Sequence, residues 1–229
     1  MARNELDRPA WSALASRHRA FALGDERARR YPPSVAPFAA SADDGAESVE
    51  ALGRLLKPGD TAILLQAGEV RLPASLHVVK RADGVQMVAA AFTSHVEDDR
   101  IRQLTAADAE DMLALALLAQ PGPLTLQALD IGRFWGIREN GRLVAMAGER
   151  MAQPGYVELS GVCTHPEVRK RGLGRLLSRY VAGRIADRGD RPYLHAYASN
   201  AAAIRLYESI GFVLRTMMQV AVIETAPGR

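Results

Sequence analysis

The chain has 229 residues, and 29 lysines and arginines against 26 aspartates and glutamates give a net charge of +3. A hydrophobic content of 48% with 24% charged residues is typical of a globular protein and excludes a disordered or collagen-like chain. The length allows one large domain or two small ones. So small a positive excess is poor support for nucleic-acid binding.

The single cysteine excludes an intramolecular disulfide framework and fits a reducing compartment. The amino terminus is charged before any apolar stretch, so it lacks a signal-peptide core. The longest charge-free run, Met112–Leu129, is interrupted by Gln120-Pro121-Gly122-Pro123, which disfavours a membrane span. We therefore expect a cytoplasmic protein that does not associate with membranes.

The first hundred residues carry predicted elements but no chemical motif. Apolar spacing and turn residues predict two helices, Pro9–Ala22 and Ala46–Leu56, and three strands, Thr61–Gln66, Leu76–Val79 and Val85–Phe92. The charged stretch at 97–100 marks a predicted boundary. It separates an N-terminal α/β region, residues 1–97, from a C-terminal domain, residues 98–229.

The apolar periodicity of the C-terminal domain is more regular and predicts strands and helices. The predicted elements are a strand at 101–104, a helix ending at 119 behind a capping box of Thr105 and Asp108, a hairpin at 134–149, a strand at 157–164, a helix at 172–186, a strand at 193–198, a helix at 200–210 and two short strands between 212 and 224. The strand–helix–strand order predicts a parallel pair, with a ligand beyond the strand ends at the helix N-terminus.

A glycine-rich basic loop lies at that place. Its residues are Arg169, Lys170, Arg171, Gly172, Leu173, Gly174 and Arg175. The glycines allow close backbone approach, and the free N–H groups of the first helical turn favour an anion such as a pyrophosphate. The alternative is a solvated basic turn. The residues after Gly174 match neither a P-loop nor a dinucleotide-binding fingerprint.

Two motifs at the right separation resemble the GNAT superfamily of N-acetyltransferases. Arg169-x-x-Gly172-x-Gly174 after a strand resembles its acetyl-CoA signature. The segment 200–212, Asn-Ala-Ala-Ala-Ile-Arg-Leu-Tyr-Glu-Ser-Ile-Gly-Phe, resembles the one after the fifth strand, especially in the ribosomal-protein N-terminal alanine acetyltransferases. The strand end at 162–166 matches as well, so the resemblance covers about residues 100–224.

The resemblance implies a mixed α/β fold with a central, splayed, mostly antiparallel sheet, and acetyl-CoA as co-substrate without a metal. The pantetheine arm enters the gap between two strands, where the backbone of Val162, Cys163 and Thr164 would bind it. Arg169 to Gly174 would hold the pyrophosphate. Asn200 would contact the arm or cap its own helix, and the two roles can coexist. The implied reaction is direct transfer of an acetyl or short acyl group to the amine of a small molecule or peptide.

The resemblance also implies catalytic candidates. Tyr207 matches the general acid that protonates the leaving thiolate, and its alternative is core packing. Glu158, eleven residues before Arg169, resembles the base of histone-type members. His195 stands where the alanine acetyltransferases have a glutamate, so their acceptor is not implied, but an imidazole can also serve as a base. A chain of waters without a single base is the third possibility.

Other interpretations are weaker. Cys163 has no partner arrangement for a covalent nucleophile, and Cys163-x-His165 is the only close pair of soft metal ligands in the sequence. A non-catalytic acyl-CoA sensor is the main rival to the enzyme. A nucleic-acid-binding protein is disfavoured, because no aromatics interleave with the basic loop. Residues 1–97 are expected to be a degenerate copy of the same fold or a lid that helps to form the acceptor pocket; the acceptor and the oligomeric state are not predicted.

Overall fold

The computed structural model describes residues 4–90 and 96–226. Its helices are α1 (Pro9–Ala15), α2 (Ala46–Leu55), α3 (Ala109–Ala119), α4 (Leu173–Ala186) and α5 (Ala201–Glu208). Its strands are β1 (Leu23–Gly24), β2 (Ala28–Arg30), β3 (Ala39–Ser41), β4 (Thr61–Gln66), β5 (Leu76–Ala89), β6 (Ile101–Leu104), β7 (Phe134–Glu139), β8 (Arg142–Gln153), β9 (Tyr156–Thr164), β10 (Arg191–Tyr197) and β11 (Phe212–Thr225). This mixed α/β architecture confirms the predicted fold class.

Eight strands form one sheet in the order β4-β11-β5-β10-β9-β8-β7-β6, and β1 to β3 form a small separate sheet. Within the large sheet β9 and β10 are parallel, as predicted, and the other neighbouring strands are antiparallel. Strand β5 lies between β10 and β11, so the sheet continues across the predicted boundary at 97/98. The division into two regions stays a prediction.

The parallel pair splays apart after a short contact. Strands β9 and β10 pair from Tyr156↔Arg191 to Glu158↔Tyr193, and their later residues are not partners of one another. The register of β9 with β8 shifts after Ser160, where Gly161 has a φ of +62°. This bulge bends the end of β9, because an extra residue opposes the neighbouring strand. The predicted splayed sheet is therefore present.

Helices cover both faces of the sheet. Neighbouring residues of a strand point to opposite faces, and Tyr193 and Leu194 of β10 belong to different buried clusters. Leu194 shares its cluster with α4, whereas Tyr193 shares its cluster with α1 and other parts of the N-terminal half. No helix among the described residues is both long enough and apolar enough to cross a bilayer.

Several predicted boundaries were wrong. The separate strands predicted at 76–79 and 85–92 form one strand, β5, to position 89, and positions 91–92 lie outside the described residues. The two strands predicted within 212–224 are also one, β11. These long strands pair with each other from Leu76↔Thr225 to Ala89↔Phe212, with register shifts at Arg215 on β11 and at Val79 on β5. Helix α1 ends at Ala15, and a 3₁₀ turn follows. The capping box of Thr105 and Asp108 is confirmed.

Candidate active site

The glycine loop ends in an exposed helix N-terminus. Gly172, the residue before α4, has a φ of +78°, a left-handed conformation that suits glycine. No side chain caps this end, and the first helical bond runs from the Leu176 N–H to the Gly172 carbonyl. The N–H groups of Leu173, Gly174 and Arg175 therefore precede the helical hydrogen bonds and are available to an anion.

Two of the four cations of this loop are engaged by other parts of the chain. Arg171 makes two hydrogen bonds to the Glu139 carboxylate, at 2.7 and 3.0 Å. Arg175 Nη2 donates to the Ser209 carbonyl at 3.4 Å. Arg169 and Lys170 are exposed, and Lys170 has a φ of +65°. The loop is thus held by its neighbours while its backbone stays open to the solvent side.

The first turn of α4 lies against the gap between β9 and β10. A Cβ placed on Gly174 would lie 3.5 Å from Thr164 Oγ1 and 3.9 Å from Val162 Cγ1. Val162 and Thr164 are half-buried, and Cys163 is buried. Burial raises the pKa of the Cys163 thiol to about 12, so at neutral pH it is protonated and a poor nucleophile.

Two further residues of the second motif belong to α5, the helix that follows β10. Asn200 caps α5, since its Oδ1 accepts a hydrogen bond from the Ala203 N–H at 3.1 Å. Tyr207 is 9% exposed, and its ring packs edge-on against Phe212 at 6.1 Å. Burial, with a smaller effect of the nearby Cys163, raises the pKa of Tyr207 to about 12. The phenol is therefore protonated at neutral pH and able to donate a proton.

The two base candidates lie in one hydrogen-bonded group. His195 Nδ1 is 2.7 Å from Glu158 Oε1, and Arg150 binds both oxygens of the same carboxylate at 2.7 and 2.8 Å. Burial alone raises the pKa of Glu158, but the charge and hydrogen bonds of Arg150 and the hydrogen bond of His195 outweigh it and hold that pKa well below its ordinary value. Glu158 is therefore a buried carboxylate that stays ionised.

Gln86 of β5 completes this group from the N-terminal half. It is the register partner of His195, and its Nε2 lies 2.9 Å from His195 Nε2 and 2.8 Å from the Leu6 carbonyl. Its Oε1 accepts from Arg215 Nη1 at 2.7 Å. The Gln86 N–H groups therefore face His195 and Leu6. This orientation of the amide assigns the hydrogen bond as Gln86 Nε2–H donating to His195 Nε2, and the Nδ1–H of the ring donating to Glu158.

The candidates occupy opposite faces of the sheet. Tyr207 belongs to the cluster that contains α4, whereas Glu158 is the register partner of Tyr193 on the other face. The sheet is open between them where β9 and β10 separate. A ligand bound on the α4 face can thus contact a second ligand bound on the face that the N-terminal half covers.

A pocket opens on the N-terminal side of this gap. It is lined by Phe38, Ile63, Leu65, Gly84, Pro121, Gly122, Pro123, Arg150, His195, Ala196, Tyr197 and Val220. Four of these, Phe38, Ile63, Leu65 and Gly84, come from the first 97 residues. The sequence analysis did not predict this lining. It also missed Arg150 and Gln86, although each is a polar residue within an apolar strand, a pattern that can mark a functional side chain.

Comparison with known proteins gives matches to part of the chain. The family model described as FR47-like protein matches residues 134–220. The [ribosomal protein bS18]-alanine N-acetyltransferase of Escherichia coli K12 is 35% identical over 77 residues, which cover 33% of this chain and 51% of that protein. Mycothiol acetyltransferase from Tsukamurella paurometabola is 33% identical over 131 residues, 54% of this chain and 41% of that protein. The chain thus spans about half the length or less of these curated relatives.

Solved structures match nearly the whole chain. The GCN5-related N-acetyltransferase from Kribbella flavida has a TM-score of 0.60 at 17% identity, covering 96% of both chains, and shows the fold alone. A crystal structure from Novosphingobium aromaticivorans, described as an acetyltransferase of the GNAT family, has a TM-score of 0.92 and 40% identity. It covers 98% of this chain and 100% of its own. With that similarity over the full length, the chain belongs to the GNAT family of acetyltransferases.

Proposed function

We propose that this protein transfers an acetyl or short acyl group from acetyl-CoA to an amine by direct attack in a ternary complex. The observation that carries the proposal is the open gap between β9 and β10, which adjoins the uncapped start of α4. The backbone of Val162, Cys163 and Thr164 would bind the pantetheine arm along this gap. Residues 169–174 would hold the pyrophosphate through backbone N–H groups, with Asn200 at the arm through its free amide nitrogen.

In the proposed step the neutral amine attacks the thioester carbonyl, a C–N bond forms and the C–S bond breaks. The products are the amide and free CoA, and the proton lost by the attacking nitrogen balances the one gained by the thiolate. Tyr207 donates a proton to that thiolate. With a pKa of about 12 the phenol remains protonated over the working pH range, so the proton is present to be donated.

We propose His195 as the group that receives the proton of the amine, with Glu158 as its partner. The buried carboxylate would orient the imidazole and stabilise its protonated form, as in other carboxylate–histidine pairs. Before His195 can accept a proton on Nε2, the amine must displace the N–H that Gln86 donates there. Transfer to solvent is the alternative, and the kcat of a His195→Gln variant separates the two.

The acceptor is an amine of a small molecule or peptide, and residues 1–97 would act as part of its pocket. This role is supported by the four pocket residues that they supply. It does not require that these residues be a degenerate copy of the family fold. The single cysteine fits a reducing compartment, and we place the activity in the cytoplasm.

A thiol-release assay tests the proposed function. Purified protein is mixed with acetyl-CoA and a panel of amines, and free CoA thiol is followed with a thiol reagent. Amine-dependent release with formation of the amide supports the enzyme. Tight acetyl-CoA binding without turnover of any amine would favour the non-catalytic sensor, and salt-sensitive retention on nucleic acid with no stabilisation by acetyl-CoA would favour a nucleic-acid-binding protein.

A further inference from the structure

We infer that the pocket beside His195 selects a primary monoamine with an apolar body and rejects amines that carry a second positive charge. The inference rests on the proposed function and names the class of its acceptor. The pocket that supports it combines a mainly apolar wall with one arginine and no carboxylate among its described lining residues.

The apolar wall comes from two separate strands and a loop. Ile63 and Leu65 lie on β4, Val220 lies on β11, and Phe38 precedes β3. Ile63 and Val220 are partly exposed, so their side chains contribute open apolar surface. Such a surface favours an alkyl or aromatic body by removing its apolar area from water.

The charge of the pocket disfavours a polycation. Among the described residues that line it there is no carboxylate, and the charged residue present is Arg150. Its guanidinium is bound to Glu158 and stacks over the Phe38 ring at 4.7 Å from the centroid. The Glu158 carboxylate is already engaged by Arg150 and His195. A second ammonium group in this pocket would lose its hydration beside the positive charge of Arg150, and it would find no carboxylate to pair with.

The position of the pocket places the amine where it can react. His195, Ala196 and Tyr197 form the end of β10, beyond the point where β10 leaves β9, and all three line the pocket. An acceptor whose apolar body fills the wall of Ile63, Leu65 and Val220 can therefore direct its nitrogen at the gap. The same arrangement makes chain length a determinant of specificity.

Two amines of equal size provide the direct test. Hexylamine and 1,5-diaminopentane have the same number of non-hydrogen atoms and differ in a terminal methyl or ammonium group. We expect kcat/KM for hexylamine to exceed that for the diamine by at least about 100-fold, because the diamine buries an unpaired charge. Equal or higher kcat/KM for the diamine would overturn the inference and leave the proposed function intact.

Binding separates this inference from the reaction itself. Calorimetric titration of each amine into the CoA-bound protein measures affinity without turnover. Tighter binding of hexylamine than of the diamine supports the pocket assignment. If hexylamine binds in this way but no thiol is released from acetyl-CoA, the proposed function fails while the pocket assignment stands. Hexylamine binding no tighter than the diamine, or not at all, would overturn the pocket assignment.

A variant that narrows the pocket tests its place. In Ile63→Trp we expect kcat/KM for hexylamine to fall at least about tenfold more than that for ethylamine, because a larger side chain shortens the apolar wall. Thr61→Trp is the matched control: Thr61 lies two residues away on the same strand, is exposed and does not line the pocket. An unchanged hexylamine to ethylamine ratio in a folded Ile63→Trp protein would place the acceptor elsewhere.

Discussion

His195 Nδ1 lies 2.7 Å from Glu158 Oε1, although the two residues are 37 positions apart and sit on different strands. The contact joins the two residues that the sequence analysis proposes as alternative bases into one pair. It arises because β9 and β10 run parallel at this point and both side chains face the N-terminal half. Removing either residue therefore changes the environment of the other, and single substitutions must be read with this coupling in mind.

The first prediction concerns the start of α4. Acetyl-CoA at about 100 times its Kd should stabilise the protein by roughly 2.7 kcal/mol, and Gly172→Val should remove most of that gain. Valine is strained at a φ of +78° and adds bulk where the proposed function has the backbone approach the pyrophosphate. The measurement is the shift of Tm with and without acetyl-CoA.

Gly141→Val is the matched control for this experiment. Gly141 has a φ of +80° and open space around it, like Gly172, but it lies in the turn between β7 and β8. It should suffer the same backbone strain and keep the stabilisation by acetyl-CoA. Full stabilisation of Gly172→Val as well would mean that the pyrophosphate binds elsewhere.

The second prediction concerns stability. Glu158→Gln should lower the free energy of unfolding by about 3–5 kcal/mol, because it leaves the charge of Arg150 uncompensated in a buried site. Glu139→Gln, which removes the exposed pair with Arg171, should cost much less, because water screens an exposed ion pair. Chemical denaturation of both variants measures the difference; equal, small losses would show that the buried pair does not stabilise the fold.

The same carboxylate predicts a pH dependence. Since the pKa of Glu158 is lower in the folded protein than in the unfolded chain, its contribution is fully present above the ordinary carboxyl pKa, about 4, and is lost as the pH falls toward the folded value. Between neutral pH and about pH 3, the free energy of unfolding should therefore fall more steeply for the parent protein than for Glu158→Gln. Parallel losses would contradict the lowered pKa.

Some of this arrangement could be predicted from the sequence, because local patterns determine it. The alternating strands at 61–66, 101–104 and 134–139 are bounded by turn residues and lie where predicted. The Gly172 turn and the Asn200 cap are local features that can be recognised in the chain itself. The splayed parallel pair followed from the strand–helix–strand order together with the family resemblance.

The rest depends on contacts between distant parts of the chain. The polar stretch at 80–83 predicts a turn, yet it continues β5 because β11 pairs with it along its full length. Gln86 meets His195 only because β5 inserts beside β10, an order that no local pattern contains. Arg150 and the N-terminal wall of the pocket were missed for the same reason.

The third prediction concerns proton removal from the amine. If His195 is the base, His195→Gln should lower kcat by about 10²–10⁴-fold, because the proton of the attacking amine then has no acceptor placed beside it. Acetyl-CoA affinity should stay near that of the parent. His77→Gln is the control, since His77 is partly exposed on β5 and pairs with Glu224 away from the pocket. An unchanged kcat in a folded His195→Gln protein would assign the proton to solvent.

The last prediction concerns Tyr207. Charge builds on the thioester sulfur only as the C–S bond breaks, so a donor placed there stabilises the transition state more than the ground state. Tyr207→Phe removes the hydroxyl but keeps the ring that packs against Phe212. We expect it to fold normally, bind acetyl-CoA nearly as before and lose about 10²–10⁴-fold in kcat. Steady-state kinetics with a thermal melt as control provide the measurement. The packing interpretation predicts full activity in Tyr207→Phe and instability in Tyr207→Ala, and an active Phe variant would leave the thiolate to be protonated by water.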